Sequence, residues 1–456
     1  MIRSVNPFNN ELIGEFETLD LDALDLKLTR ALQGLTVWRN TGFDDRSHFL
    51  RSLANVLRDG KEEYAHLISN EMGKVINESR KEVEKCAVVL DYFAEHGPAF
   101  LAEEKADVDK GEGRLMYEPM GVILGVMPWN YPFWQVFRFV ASTVMAGNVV
   151  LLKHSSQVPA CSQKILEIID KAELPGGVFQ NLLVSSDMVS HIIKDFRVQG
   201  ASLTGSEPAG AQVAQQAGKH IKKVVLELGG SDPFIVLEDA DVASAVKAGV
   251  HSRFMNFGQS CDAAKRFILH ESIALEFLEA FQEEIASLKY GSPLSESSDY
   301  ACLVSKKQKE VLEQQVKESL DAGATIFWQA SRPADASDAY FTPMILRDIP
   351  ENAPAYKDEL FGPVASVFIV TDGMEAVRQA NDTDYGLGAS IWTADLERGW
   401  KMAREVQAGI VSINDAVHSK PQLPFGGVKK SGVGREMAAA GIREFTNKKS
   451  LTYPLD

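Results

Sequence analysis

Residues 121–153 read GVILGVMPWNYPFWQVFRFVASTVMAGNVVLLK, and this stretch decides the architecture. Positions 121–126 form a short apolar run, 133–146 are apolar at helical intervals, and 148–153 form a second apolar run. Strand, helix and strand joined by short connections are the unit of a parallel sheet. The unit repeats downstream, with helices predicted over 160–172, 188–194 and 208–217 and strands over 178–184, 198–203 and 222–228. Such alternation predicts a doubly wound α/β sheet, which binds nucleotides at the carboxyl ends of its strands.

After Gly229-Gly230 a second α/β unit begins. A strand is predicted over 231–238, a long helical run over 242–259 with Cys261 at its end, a strand over 265–269 and a helix over 273–288. Strands at 364–371, 389–392 and 409–414 and a helix at 374–381 continue the pattern up to the loop Gly426-Gly427-Val428-Lys429-Lys430-Ser431-Gly432. On the amino-terminal side, residues 1–20 read as a strand pair and 21–99 as helical. Residues 105–117, charged and carrying Gly111 and Gly113, read as a hairpin that leaves its domain; the tail 443–456 is β-like and suited to docking.

A chain of 456 residues should form two or more domains, at roughly 100–200 residues each. Its 45% hydrophobic and 24% charged content excludes a largely disordered or fibrous protein. A net charge of −16 opposes binding to nucleic acid or to an anionic membrane, so any anionic ligand must be held by local positive charge. Cys86, Cys161, Cys261 and Cys302 are scattered, without the spacing of a zinc site or a disulfide framework. A cytoplasmic setting is expected, since residues 1–35 also lack the pattern of a secretory signal. The most apolar stretch, 121–152, is broken by Pro128, Asn130, Pro132 and Arg138 and reads as core, not as a membrane span.

A cysteine nucleophile needs a route to the thiolate, a carboxylate to activate a later water, and donors for an oxyanion. Gly258-Gln259-Ser260-Cys261 supplies the thiol, Glu227 in Val225-Leu226-Glu227-Leu228-Gly229-Gly230 the carboxylate, and Asn130 in Met127-Pro128-Trp129-Asn130 an amide donor. A cysteine hydrolase would want a histidine base oriented by Asn or Asp, and none of the nine histidines lies in such a motif. Three further features carry two readings each. Thr204-Gly205-Ser206-Glu207-Pro208-Ala209-Gly210 is either a plain turn, with Gly205 at positive φ and Ser206 capping the helix, or a loop whose N–H groups face a pyrophosphate. Lys153, ahead of His154-Ser155-Ser156, is either a solvated strand end or a ribose contact. Arg138, four residues after Trp134 in an apolar helix, is either half of a buried ion pair or a binder of a substrate carboxylate.

In combination these motifs resemble the aldehyde dehydrogenase superfamily over essentially the whole chain, and Arg138 resembles its succinate-semialdehyde dehydrogenase branch. The resemblance implies a Rossmann-type cofactor domain (1–103 and 119–229), an α/β catalytic domain (230–442) and a small β oligomerisation extension (104–118 and 443–456) serving a homodimer or homotetramer. Cys261 would attack the aldehyde, and Asn130 with the Cys261 N–H would hold the oxyanion. Hydride transfer to the nicotinamide would leave a thioester, hydrolysed by water that Glu227 activates. This role needs a raised pKa and a desolvated site. Glu227 also argues against transfer to coenzyme A, and the intact trio Cys261, Glu227 and Asn130 argues against a non-catalytic binding relative. No metal is required.

The same resemblance assigns Trp129, Lys153, Ser155, Ser156, Gly205, Ser206, Leu228, Glu359 and Phe361 to the cofactor, and Trp134, Arg138, Ser419 and Phe425 to the aldehyde. Two positions depart from the pattern. Many relatives carry glutamate where this chain has Ser156, so with Lys153 and His154 nearby a 2′-phosphate is admissible and NADP should serve at least as well as NAD. Several relatives carry a second arginine where this chain has Met255, which leaves glutarate or malonate semialdehyde, or uncharged aldehydes, open beside succinate semialdehyde. Ser156→Glu is expected to shift cofactor preference toward NAD. Unchanged kcat/KM ratios for the two cofactors in that variant would remove the assignment.

Overall fold

In the computed structural model, which describes residues 1–454, strand Val122–Met127 pairs in parallel with Val149–His154 on one side and Val198–Thr204 on the other. The sheet has six strands in the order Gly432–Val433, Lys223–Glu227, Val198–Thr204, Val122–Met127, Val149–His154, Phe179–Asn181, and only the first pairs antiparallel. The chain starts at Val122–Met127, moves outward through two strands, then returns to begin again at Val198–Thr204. A crevice opens at such a switch point, outside the carboxyl ends of the strands. Pro128-Trp129-Asn130 and Gly205-Ser206 leave those two ends. Helix Trp134–Met145 is buried all round and joins helices Leu21–Trp38, Phe43–Asp59, Lys61–Met72 and Ile76–Phe100 in one core with this sheet.

The second sheet runs Thr325–Gln329, Met344–Arg347, Val364–Val370, Ala264–His270, Asp232–Val236, Gly388–Trp392, Ile410–Ile413, parallel apart from the first pair. Successive residues point to opposite faces. Ile235 and Ile268 therefore join one core, while Phe234, Val236, Phe267 and Leu269 join another. A third, three-stranded antiparallel sheet pairs Thr446–Tyr453 with Glu112–Pro119 and Glu104–Ala106, so the expected hairpin and tail meet each other. Positions 455 and 456 of the expected tail extension lie outside the described residues. None of the helices among the described residues is long and apolar enough to cross a membrane.

Two expectations are corrected. The strand expected over 178–184 is only Phe179–Asn181; Leu182 adds one backbone bond to Leu152 O at 2.7 Å, and Val184 is apolar because it is buried. The helical run expected over 242–259 stops at Phe254. Asn256, Phe257 and Gly258 follow at φ of 51°, 53° and 78°, three left-handed residues in succession. Phe257 looks helical in the sequence because it is apolar, yet its ring stacks on Tyr300 at 5.0 Å, outside any helix. Cys261 therefore does not sit at a helix end. Gly258 is required twice, by its φ and because a Cβ there would lie 2.4 Å from the Gly362 backbone. Gly258→Ala is expected to destabilise the protein by more than about 1 kcal/mol, read as a lower denaturant midpoint. An unchanged midpoint would mean that the turn accepts a side chain.

Candidate active site

Cys261 lines two cavities, and among the described residues it is the only one common to both. One cavity opens at the carboxyl end of the six-stranded sheet and is lined by Trp129, Asn130, Thr204, Gly205, Ser206, Glu227, Leu228, Glu359 and Phe361. The other is lined by Trp134, Arg138, Ser419 and Phe425, together with residues of helix Ile76–Phe100. The expected site residues thus divide into two groups joined at the thiol. Lys153, Ser155 and Ser156 stand apart, following the neighbouring strand Val149–His154 and lining neither cavity.

The thiol is held by its backbone. Lys265 Nζ donates to Ser260 O at 2.9 Å and to Cys261 O at 2.8 Å, and its charge meets Glu359 Oε1 at 3.1 Å. Asn130 is buried; its Nδ2 donates to Gln259 O at 3.1 Å, and Asn256 Nδ2 donates to Asn130 O at 2.8 Å. A side-chain amide carries two N–H groups, so one remains for a ligand. Burial pushes the Cys261 thiol well above its ordinary range, Asp262 adds to this, and Lys265 and Arg138 oppose it.

Glu227 ends strand Lys223–Glu227 and is buried, with neither carboxylate oxygen hydrogen-bonded. Burial holds its carboxyl well above the usual range, and Glu436 raises it further against Arg138 and Arg435. Gly426, at φ 151°, makes room for it: a Cβ there would lie 2.5 Å from Glu227 Oε1. Glu436, which sequence reasoning missed, forms an antiparallel bridge with Phe425 and pairs through its carboxylate with Arg138 Nε. The Arg138 guanidinium also lies 4.7 Å from the Phe425 ring centroid. Both readings of Arg138 therefore hold at once geometrically: it is half of a buried ion pair and it lines the cavity.

Helix Ile76–Phe100 brings Glu78, Glu82 and Lys85 to the second cavity. Sequence reasoning missed them as well. Their signal was charge within an apolar stripe, since 78, 82, 85, 89 and 93 fall on one helix face. Glu82 accepts from the N–H groups of Phe133 and Trp134 at 2.9 and 3.0 Å, an anion at the start of the helix that carries Arg138. Burial pushes the Glu78 carboxyl up to about 7.

On the nucleotide side, neither half of the plain-turn reading survives. Gly205 does not have positive φ, and Ser206 precedes helix Glu207–Lys219 without making a side-chain cap bond. A Cβ on Gly205 would meet only Leu203, at 3.5 Å, and buried Thr204 Oγ1 lacks a hydrogen-bond partner. An open loop and an uncapped helix start fit a pyrophosphate. Lys153 is buried and so is not a solvated end. The expected help from His154 fails: its Nε2 meets Pro132 O at 2.8 Å, its Nδ1 accepts from Ser155 N–H, and burial pushes it down to about 4, so it is neutral. Ser156 is exposed.

The aldehyde dehydrogenase family model matches residues 1–451. The chain is 44% identical over 450 residues to a Synechocystis protein named probable succinate-semialdehyde dehydrogenase (NADP+), covering 99% of each. It is 42% identical over 444 residues, 97% of this chain and 96% of the relative, to the Escherichia coli succinate semialdehyde dehydrogenase (NAD(P)+). The crystal structure of succinic semialdehyde dehydrogenase from Streptococcus pyogenes in complex with NADP+ superposes with a TM-score of 0.97 at 35% identity, covering 100% of both chains.

Without cofactor, alkylation of Cys261 by iodoacetamide is expected to rise about tenfold per pH unit from about pH 6.5 to 8.5, following the thiolate fraction. The other three cysteines are buried, and Cys261→Ser provides the blank. A plateau below about pH 8 would contradict the raised thiol.

Proposed function

The chain belongs to the aldehyde dehydrogenase family, and from that premise we propose that it oxidises succinate semialdehyde to succinate with NADP as the preferred hydride acceptor. One observation carries the reading: a single thiol, Cys261, is shared by a cavity at the carboxyl end of a parallel sheet and a cavity to which Arg138, Lys85 and Ser419 contribute. The names of the relatives quoted above support the substrate and the cofactor.

Cys261, once its proton has passed to solvent water, attacks the aldehyde carbon through Sγ; the carbonyl π pair moves to oxygen, and the second N–H of Asn130 and the Cys261 backbone N–H receive the oxyanion. Donors in this role are worth about 3–4 kcal/mol each. NADP, when bound, would supply the acceptor for hydride; Gly205 and Ser206 would hold its pyrophosphate, and Lys153, Ser155 and Ser156 its adenosine ribose. Trp129, Leu228, Glu359 and Phe361 surround the nicotinamide side, where Trp129 and Phe361 meet edge to face at 5.6 Å. Glu227 takes a proton from the water that hydrolyses the thioester. Its buried position keeps it basic once ionised, and Arg138 and Arg435 oppose the effect of that burial. Trp134, Arg138, Ser419 and Phe425 receive the rest of the substrate. Arg138 keeps Glu436 and still has Nη2 without a hydrogen-bond partner.

The proposal extends to a cofactor domain of 1–103 with 119–229, a catalytic domain of 230–442, and a homodimer or homotetramer, in the cytoplasm, whose contacts use the three-stranded sheet. Initial rates with succinate semialdehyde and butyraldehyde, each with NADP and with NAD, test the central reading. A strong preference for the acid with NADP is expected; equal rates on the two aldehydes would leave a general aldehyde dehydrogenase. Arg138→Ala is expected to raise KM for the acid aldehyde about tenfold or more, and far more than for butyraldehyde. Equal losses on both would reduce Arg138 to a structural partner of Glu436.

A further inference from the structure

The cavity proposed to receive the substrate contains four acidic side chains within it or bordering it, and each is engaged. Glu82 takes Lys74 Nζ at 2.5 Å as well as two backbone N–H groups. Glu78 accepts from Asn256 N–H at 2.8 Å, Asp262 accepts from Ser260 Oγ at 2.5 Å, and Glu436 is paired with Arg138. Arg138 thus shares its charge with Glu436 while keeping Nη2 for a ligand. A substrate carboxylate entering this cavity loses hydration, and a shared cation restores only part of it.

Lys85 is different. Among the described residues no carboxylate oxygen lies within 4.0 Å of its Nζ. The ammonium donates to Ser419 Oγ at 2.5 Å and lies 4.2 Å from the centroid of the Trp134 ring. Ser419, Trp134 and Lys85 all line the cavity that reaches Cys261. Burial holds the ammonium below the ordinary lysine range, as expected for a charge short of partners. Lys81 also lines the cavity, but it is exposed to solvent. An ammonium has three N–H donors, and a hydroxyl that accepts one hydrogen bond keeps its own hydrogen to donate. Lys85 and Ser419 together therefore present several donors and one positive charge that no carboxylate touches, with Asp262 and Glu82 acting on it only from a distance.

We propose that Lys85 is a specificity-determining residue, seating the far carboxylate of the substrate on its ammonium with the Ser419 hydroxyl as second donor. The inference deepens the reading of the substrate given above and rests on it. Met255 leaves the cavity without a second arginine; Lys85 reaches it from a different helix and supplies the charge instead.

The test compares wild type, Lys85→Met and Lys85→Arg, with succinate semialdehyde and butyraldehyde as substrates and NADP saturating. Lys85→Met is expected to lower the acid-to-neutral ratio of kcat/KM about tenfold to hundredfold, the effect of losing a charge-assisted hydrogen bond. The loss should fall mainly on KM for the acid, because a contact remote from the reacting carbon is the same in ground and transition states. Lys85→Arg should keep most of the preference. Should Lys85→Met fail to fold, Lys85→Gln, which can still donate to Ser419, carries the same test. A wild type that prefers the acid and a Lys85→Met that prefers it equally would overturn the role of Lys85 and leave the substrate reading standing. A wild type without preference would overturn both.

Discussion

The position of Cys261 depends on a backbone with almost no freedom. Three consecutive left-handed residues, Asn256 to Gly258, turn the chain out of its helix, and Gly258 passes so close to Gly362 that no side chain fits. Lys265 then gathers the carbonyl oxygens of Ser260, Cys261 and Ala263 around one buried ammonium. Left-handed backbone is strained for residues other than glycine and persists only where the surroundings impose it. Here the stacking of Phe257 on Tyr300 and the bonds made by Asn256 and Gln259 impose it. Everything else in the site is arranged relative to that fixed loop.

Around the loop, low dielectric sets the chemistry. Glu227, Glu436 and Arg138 share one buried region, and burial is the largest influence on both carboxyls. Two buried acids that share Arg138, with Arg435 acting on Glu227 as well, are not both fully stabilised as anions. The ion pair commits Glu436 to Arg138, while Glu227 has no hydrogen-bond partner, the state its proposed role as base for water requires. The same pairing makes Arg138 share its charge with Glu436, whereas no carboxylate touches the Lys85 ammonium in that cavity.

The nucleotide side follows from sheet topology. At the switch between Val122–Met127 and Val198–Thr204, two strand ends diverge and the helix that follows Ser206 starts without a side-chain cap. Glu359, held between Lys265 and the Gly230 N–H, links this crevice to the thiol loop, and Gly229 leaves the space its carboxylate occupies. Cofactor cavity and thiol are therefore positioned by shared contacts.

Much of this was legible in the residues. Alternating apolar runs and helical stripes specify parallel sheets, because a strand covered on both faces must be apolar throughout. The motifs around Asn130, Glu227 and Cys261 were legible because their chemistry needs those residue types. Apolar composition misled where burial was not tied to regular structure, at Phe257 and at Leu182 to Val184. Charge misled at His154, whose neutrality comes from burial and from Pro132 O. The sequence by itself determined the two α/β units and the thiol, carboxylate and amide that the site contains. Only the tertiary structure decided which buried charges find partners, since Arg138 meets Glu436 and Lys85 meets Ser419 across 334 residues of chain. Local pattern records how often a residue is buried but not what it meets there, and in a cavity of low dielectric the partner decides the charge.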